Sequence, residues 1–322
     1  MKDTTAKGMQ LKLRRAKTLA MAGAALLTMS GQALAGDWEM DAGIRYWYST
    51  GKAAKDLFDS TGTLLLSRLT YSKLAAHTGE GFMRLDHNPT GVFLKGYAGI
   101  GSITGGHMID EDFPPVTVPY SATYQKQKSG NISYFNADLG YNFLDTRGNG
   151  GAGVRLGGFI GYHYYKEYPK TYGCVQIATN PAICGGGGFP TSIKTLSQDN
   201  NWHSLRIGAV ADFYATDRLK VTIDAAYTRN WLRGKDHHHL RPAINPLPER
   251  GHGNGFQIEG VLSYAVTGNV TLGLGGRYWH YGKTHGWAHF EKAPGALPGW
   301  APQVENWKSR RYGVFVQLGY TF

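Results

Sequence analysis

The sequence predicts an all-β protein, a ten-stranded antiparallel β-barrel, and three observations carry that expectation. Segment after segment alternates apolar and polar residues with a period of two, as strands do when one face meets an apolar phase. Of the nine connections between ten such segments, four are short Gly/Asn/Asp turns, and the five that alternate with them are long and polar. The composition, with 45 Gly, 20 Tyr and 8 Trp in 322 residues, is Gly- and aromatic-rich, and after the N-terminal segment no apolar run is long enough for a membrane helix.

Residues 1–35 read as a targeting segment rather than as part of the fold. Lys12, Arg14, Arg15 and Lys17 form a basic region, Leu19 to Met29 an apolar one, and Ala33-Leu34-Ala35 a small-residue cleavage signal, which makes 36–322 the mature barrel. The first strand is expected over Asp41 to Tyr48. The second runs from Leu64 to Leu85, where Gly79 and Gly81 suggest a bulge. The turn at Asp86 to Gly91 leads to Val92–Ile103, and Asn131–Leu144 returns to a turn at 145–150. Val154 to Tyr164 and Trp202 to Tyr214 follow. Leu219, Val221, Ile223, Ala225 and Tyr227 then alternate with Lys220, Thr222, Asp224, Ala226 and Thr228. Phe256–Ala265, Val270–Tyr281 and Arg311–Phe322 complete the ten. The long connections are 50–63, 104–129, 167–200, 233–254 and 283–308.

Short turns on one side and long loops on the other are the pattern of an even-stranded transmembrane barrel with both termini in the periplasm and long extracellular loops. Apolar faces outward, with Arg, Asp and Lys inward, suit closure in lipid, because only a closed sheet leaves no backbone edge unpaired. Most Tyr and Trp are then expected in girdles at the membrane interfaces. The net charge is +11; the leader removes five of those charges and leaves +6 on 36–322. No Lys/Arg tract with interleaved stacking aromatics is present, so nucleic acid is not the expected partner, whereas anionic lipid is. Cys174 and Cys184 lie in one Gly-rich loop of an exported chain and are expected to close it with a disulfide.

Two stretches carry chemistry. After the seventh strand comes Lys235-Asp236-His237-His238-His239, in which Asp236 and His238, two apart, project from one face as a carboxylate–imidazole pair. After the third comes Gly105-Gly106-His107-Met108-Ile109-Asp110-Glu111-Asp112, in which Asp110 and Asp112 share a face. Alone, the acidic stretch also reads as a solvated loop or a cation site, and the His run as an incidental site for a divalent metal. Both stretches end upward strands, so a narrow barrel can set them facing each other across its mouth.

Gly-Gly-x-Met-x-Asp-x-Asp at 105–112, Asp236-x-His238, Ser67-Arg68-Leu69-Thr70-Tyr71 and the ending Leu318-Gly319-Tyr320-Thr321-Phe322 resemble the omptins, ten-stranded outer-membrane aspartate/histidine endopeptidases. The resemblance runs in strand order over 36–322. It implies a monomeric peptide hydrolase that acts on extracellular polypeptides, without cofactor or metal. His238 would take a proton from water, Asp236 would orient the imidazole, and Asp110 and Asp112 would hold the water or the oxyanion. His237 and His239 would be bystanders.

Omptins favour basic residues through two acidic positions. Here one of these is Gly234, between Arg233 and Lys235, and the other falls near Lys55 or Asp56, so the resemblance makes Asp56 and Gly234 the substrate pocket without promising a preference for basic residues. Tyr162 and Lys166 match positions of the family's lipopolysaccharide contact. The alternative from another class is a non-enzymatic barrel, an adhesin or a small channel.

Overall fold

The computed structural model describes residues 36–113, 119–147, 152–178, 184 and 187–322. The expected targeting segment, 1–35, lies outside the described residues. Ten antiparallel strands form the barrel: β1 (Trp38–Phe58), β2 (Leu65–His87), β3 (Val92–Asp112), β4 (Ser121–Asp145), β5 (Gly153–Gln176), β6 (Phe189–Tyr214), β7 (Leu219–His238), β8 (Leu247–Ala265), β9 (Val270–Ala288) and β10 (Gln303–Thr321). Each pairs with its neighbours in sequence, and β1 pairs with β10, from Asp41 opposite Thr321 to Leu57 opposite Glu305, so the ring is closed.

The strands are 19 to 26 residues long, about twice what a membrane crossing needs. The five long connections are therefore shorter as loops than expected, because strand pairing continues through most of 50–63, 104–129, 167–200 and 233–254 and through both ends of 283–308. There many inward positions are polar, among them Gln125, Gln127, Thr171, Ser197 and Glu305, and the outward apolar residues thin out to a few such as Tyr124, Val175 and Trp287. The apolar half of the alternation weakens while the hydrogen-bonded ladder does not. The bulge expected at Gly79 and Gly81 also lies elsewhere: both pair regularly with Ile100 and Ala98, and β2 slips between Ser72 and Ala76.

Outward-facing apolar side chains are exposed, among them Ile44, Tyr46, Ile223, Tyr227, Val314, Val316 and Leu318, while Arg155, Arg311 and Glu80 are buried within. Four of the eight Trp are interior rather than in a girdle: Trp47, Trp202, Trp279 and Trp307 are at most 3% exposed. Inside even this narrow ring the bore must be filled, and large rings fill it best. Trp47 meets Trp279 at 4.9 Å between ring centroids, Trp279 meets Tyr165 at 5.2 Å, and Tyr281 joins Tyr165 to Trp202 at 5.6 and 4.7 Å. These residues come from β1, β5, β6 and β9 and form a continuous aromatic layer across the bore. Arg277 of β9 spans to Glu80 of β2 at 2.7 Å beneath it. Lower still, Arg45, Lys95, Asp212, Asp224 and Glu259 line a cavity of about 130 Å³.

Candidate active site

Above the aromatic layer, β2 and β3 exchange the faces they turn inward. Ala76, Thr78 and Glu80 are buried below the change on β2, but Leu69 and Tyr71 above it; on β3 the interior passes from Phe93 and Ile103 to Met108. The exchange happens where the pairing slips around Gly105, and there Gly106 has φ +128° and Lys73 φ +54°. A Cβ on Gly106 would lie 2.7 Å from the Ser72 carbonyl oxygen, so this backbone requires glycine. The result is that Asp110 and Asp112, in step with Met108, line the mouth. Strand β7 keeps an unbroken register against both neighbours, and Thr228, Asn230 and Asp236 are buried on its inner face.

His238 Nε2 lies 3.0 Å from Asp236 Oδ2. The ammonium of Lys55, reaching from β1, donates to that same oxygen at 2.6 Å and to Glu249 Oε1 of β8 at 2.5 Å, with Glu305 Oε1 of β10 at 3.5 Å. Gln198 Nε2 of β6 donates to the other Glu249 oxygen at 2.6 Å. On the facing wall the Ser67 hydroxyl donates to Asp110 Oδ1 at 3.1 Å. The exposed apolar belt stops at Tyr48 on β1, Ile100 on β3, Trp231 on β7, Phe256 on β8 and Tyr312 on β10, so the whole cluster lies beyond it.

Electrostatics divide these acids into two kinds. Burial, then the neighbouring Asp112, pushes the Asp110 carboxyl up to about 6, with His238 and the Ser67 hydroxyl opposing and Asp236 adding to the rise. Burial also raises Asp112, against the pull of Arg241. Burial works the same way on Asp236, but His238 and Lys55 outweigh it and hold that carboxyl well below the usual range. Burial raises Glu249, and raises Glu305 strongly, with Lys55 the main opposing charge in each case. Burial would strip Lys55 of its proton, yet Asp236, Glu249 and Glu305 together keep it ammonium. One cation among three buried carboxyls means that a proton is retained within the group.

The other sequence-derived residues are placed as follows. Asp56 is on the opposite face of β1 from Lys55 and pairs with Arg68 at 2.6 Å, away from Asp236. Gly234 faces inward, and a Cβ there would meet Glu249 Oε2 at 2.7 Å, so the next strand's carboxylate fills its place. Tyr162 bonds His203 at 2.5 Å and Lys166 bonds Asp199 at 2.9 Å on the outer face of β5 and β6. Cys174 and Cys184 are joined by a disulfide. His237 bonds Asn245 and His239 bonds Ser197, and their rings stack 6.0 Å apart, away from Asp236.

Sequence reasoning missed Glu249, Glu305 and Gln198, named Tyr71 only within the Ser67–Tyr71 motif, and weighed Lys55 only as an alternative to Asp56. Strand parity held the signal: Lys55 is in step with buried Trp47, and Glu305 with buried Trp307.

No protein-family model matches the chain, and no curated protein sequence does. Among solved structures, the outer membrane protease OmpT from Escherichia coli is similar, with a TM-score of 0.67 and 16% identity over 88% of this chain and 97% of that one. The outer membrane protein OprG from Pseudomonas aeruginosa aligns over 89% and 96% at 10% identity, but its TM-score of 0.38 is too low to bear on the fold. The likeness to OmpT shows a shared fold: an all-β ring of ten antiparallel strands.

Proposed function

We propose that this chain is an outer-membrane endopeptidase, its site facing the exterior, that hydrolyses peptide bonds of extracellular polypeptides with a water activated by His238. The observation that carries the reading is the Asp236–His238 contact of 3.0 Å on one wall of the mouth, opposite a carboxyl raised to about 6 on the other. With one imidazole nitrogen donating to Asp236, the other can take a proton from water as its oxygen bonds to the scissile carbonyl carbon. Asp110, protonated, donates to the developing oxyanion, and Asp112 holds the water. Collapse breaks the C–N bond, and the imidazolium returns its proton to the leaving amine. Water is added across the bond, with no covalent enzyme intermediate and no cofactor or metal.

The exposed apolar belt outside a polar interior supports the membrane setting. Tyr162 and Lys166 on its outer rim are assigned to lipopolysaccharide contact, and the chain to a monomer. The test is mass-spectrometric detection of peptide cleavage by purified, refolded barrel. His238→Ala should abolish it while the folded barrel's gel mobility is retained; equal cleavage by both would remove His238 from the mechanism, and cleavage by neither would end the endopeptidase reading. A non-enzymatic adhesin is the second reading, favoured by one observation: Lys55 already occupies the Asp236 oxygen that serves His238. The channel reading loses ground because Trp47, Trp279, Tyr165, Tyr281 and Trp202 fill the bore.

A further inference from the structure

Beside the Asp236–His238 pair, β7 has no side chain at Gly234, which is where a pocket next to the reacting centre would open. The space is taken twice over. Glu249 Oε2 lies 2.7 Å from the position of a Gly234 Cβ, and the Lys55 stem and ammonium fill the gap between Glu249, Glu305 and Asp236. What remains free beside Lys55, Tyr71 and Gln198 is a cavity of about 10 Å³, room for about one water molecule. Two polar atoms facing this group, Asp236 Oδ1 and Glu305 Oε2, are buried without a protein partner among the described residues.

We propose that Lys55 is a built-in occupant of an alkylammonium pocket, holding with its own side chain the place that a substrate's basic side chain would take. The pocket has the form of a lysine receptor: carboxylates converge on one ammonium, with an aliphatic stem entering from the β1 side. Because the occupant is covalently part of β1, no free cation competes with it at ordinary concentrations, since an intramolecular ligand has a high effective concentration. A basic side chain arriving beside the scissile bond meets a filled pocket and a like charge, whereas an uncharged side chain meets only the missing volume. Lys55 is thus a specificity-determining residue that excludes Lys and Arg. The specificity part of this inference rests on the endopeptidase reading; the occupancy part does not.

The experiment has two arms. In the first, wild-type barrel is profiled on a peptide library, and cleavage beside uncharged residues should exceed cleavage beside Lys or Arg by about tenfold or more. A dominant Lys/Arg preference would overturn the exclusion while leaving the endopeptidase reading standing. If wild type and His238→Ala both cleave nothing, that reading fails and the second arm alone decides the occupancy. In it, Lys55→Ala and Lys55→Ser are refolded with n-butylammonium chloride or with sodium chloride at equal ionic strength. Folded yield and the temperature of gel-mobility loss should both rise with n-butylammonium in these variants, and in neither wild type nor Lys55→Ala/Glu249→Gln. Poor folding in sodium chloride alone is part of the expected result, since the butylammonium supplies the missing cation. No n-butylammonium effect on yield or temperature in either single variant, including failure to refold in both salts, overturns the proposal.

Discussion

His238 Nε2 and Lys55 Nζ meet on one oxygen of Asp236, at 3.0 and 2.6 Å. A buried carboxylate serving two partners orients both, and breaking a buried pair by removing one partner typically costs about 3–5 kcal/mol because it strands the other charge. Asp236→Asn is therefore expected to do two things at once: lower peptide cleavage by about 10²-fold or more, and lower the temperature at which the barrel unfolds. His238→Ala, which leaves the Lys55–Asp236 pair intact, should lose cleavage with little change in unfolding temperature. Parallel activity and heat-modifiability measurements separate the two variants, and an equal loss of stability in both would remove the shared-oxygen account.

The raised Asp110 carboxyl gives a pH dependence with a definite sign. Its folded value of about 6 lies above the 3.8 of the free side chain, so between those values the folded state binds more protons than the unfolded one. Stability is then greatest below the free value and falls as pH rises toward the folded one, by up to about 3 kcal/mol. Asp110→Asn should erase that dependence, so wild type should gain on the variant in unfolding temperature as pH drops from about 6.5 to about 4.

On the proposed mechanism the protonated form of the same group also serves as a donor to the oxyanion. Wild-type kcat/KM should decline as pH rises through about 6, the folded value of Asp110. Asp110→Asn keeps a donor that cannot ionise, and its lower activity should show no decline in that range. A decline retained in the variant would assign the titration to another group.

Gly106 is the residue whose loss should damage the site without touching the lower barrel. At φ +128°, with the Ser72 oxygen 2.7 Å from any Cβ, Gly106→Ala strains the crossover by about 1–3 kcal/mol and turns Asp110 away from the mouth. Cleavage should fall while the unfolded and folded gel bands remain distinct.

The aromatic layer makes a transport prediction. Wild-type barrel in a planar lipid bilayer should give no stepwise conductance, because rings from β1, β5, β6 and β9 close the bore. Trp279→Ala removes the ring that contacts both Trp47 and Tyr165, and a large-to-small change in such packing costs about 3–5 kcal/mol. Conductance by wild type would restore the channel reading.

The strand number and the closed ring were legible because the lipid-facing positions, such as Val314, Val316 and Leu318, impose an apolar residue at every second place. Strand length was not legible: above the belt nothing demands an apolar residue, so Tyr168, Lys170 and Gln198 read as loop although they pair. Asp110, Asp112, Asp236 and His238 stood out in the sequence because each pair is local, its two members separated by one residue on one strand face. Glu249 and Glu305 were not, because their meaning comes from Lys55, which is nearly two hundred residues or more from both and becomes their neighbour only when β1 closes on β10. The parity change at Gly106 was likewise hidden, since a run of two glycines states permission to bend and not direction.

Because the strands continue past the belt, the Asp110–Asp112 and Asp236–His238 pairs stand on stiff sheet. Between Trp231 and Asp236 there are five strand steps, and between Ile100 and Asp110 ten, or roughly 15–35 Å along the chain. In the proposed setting this fixes an altitude above the bilayer at which scission occurs. A tethered polypeptide is vulnerable only if its anchor lets a segment rise that far and bend back into the mouth; short stalks lying flat on the lipid are out of range whatever their sequence. The barrel wall thereby acts as a ruler, choosing among polypeptides by reach before any pocket reads a side chain.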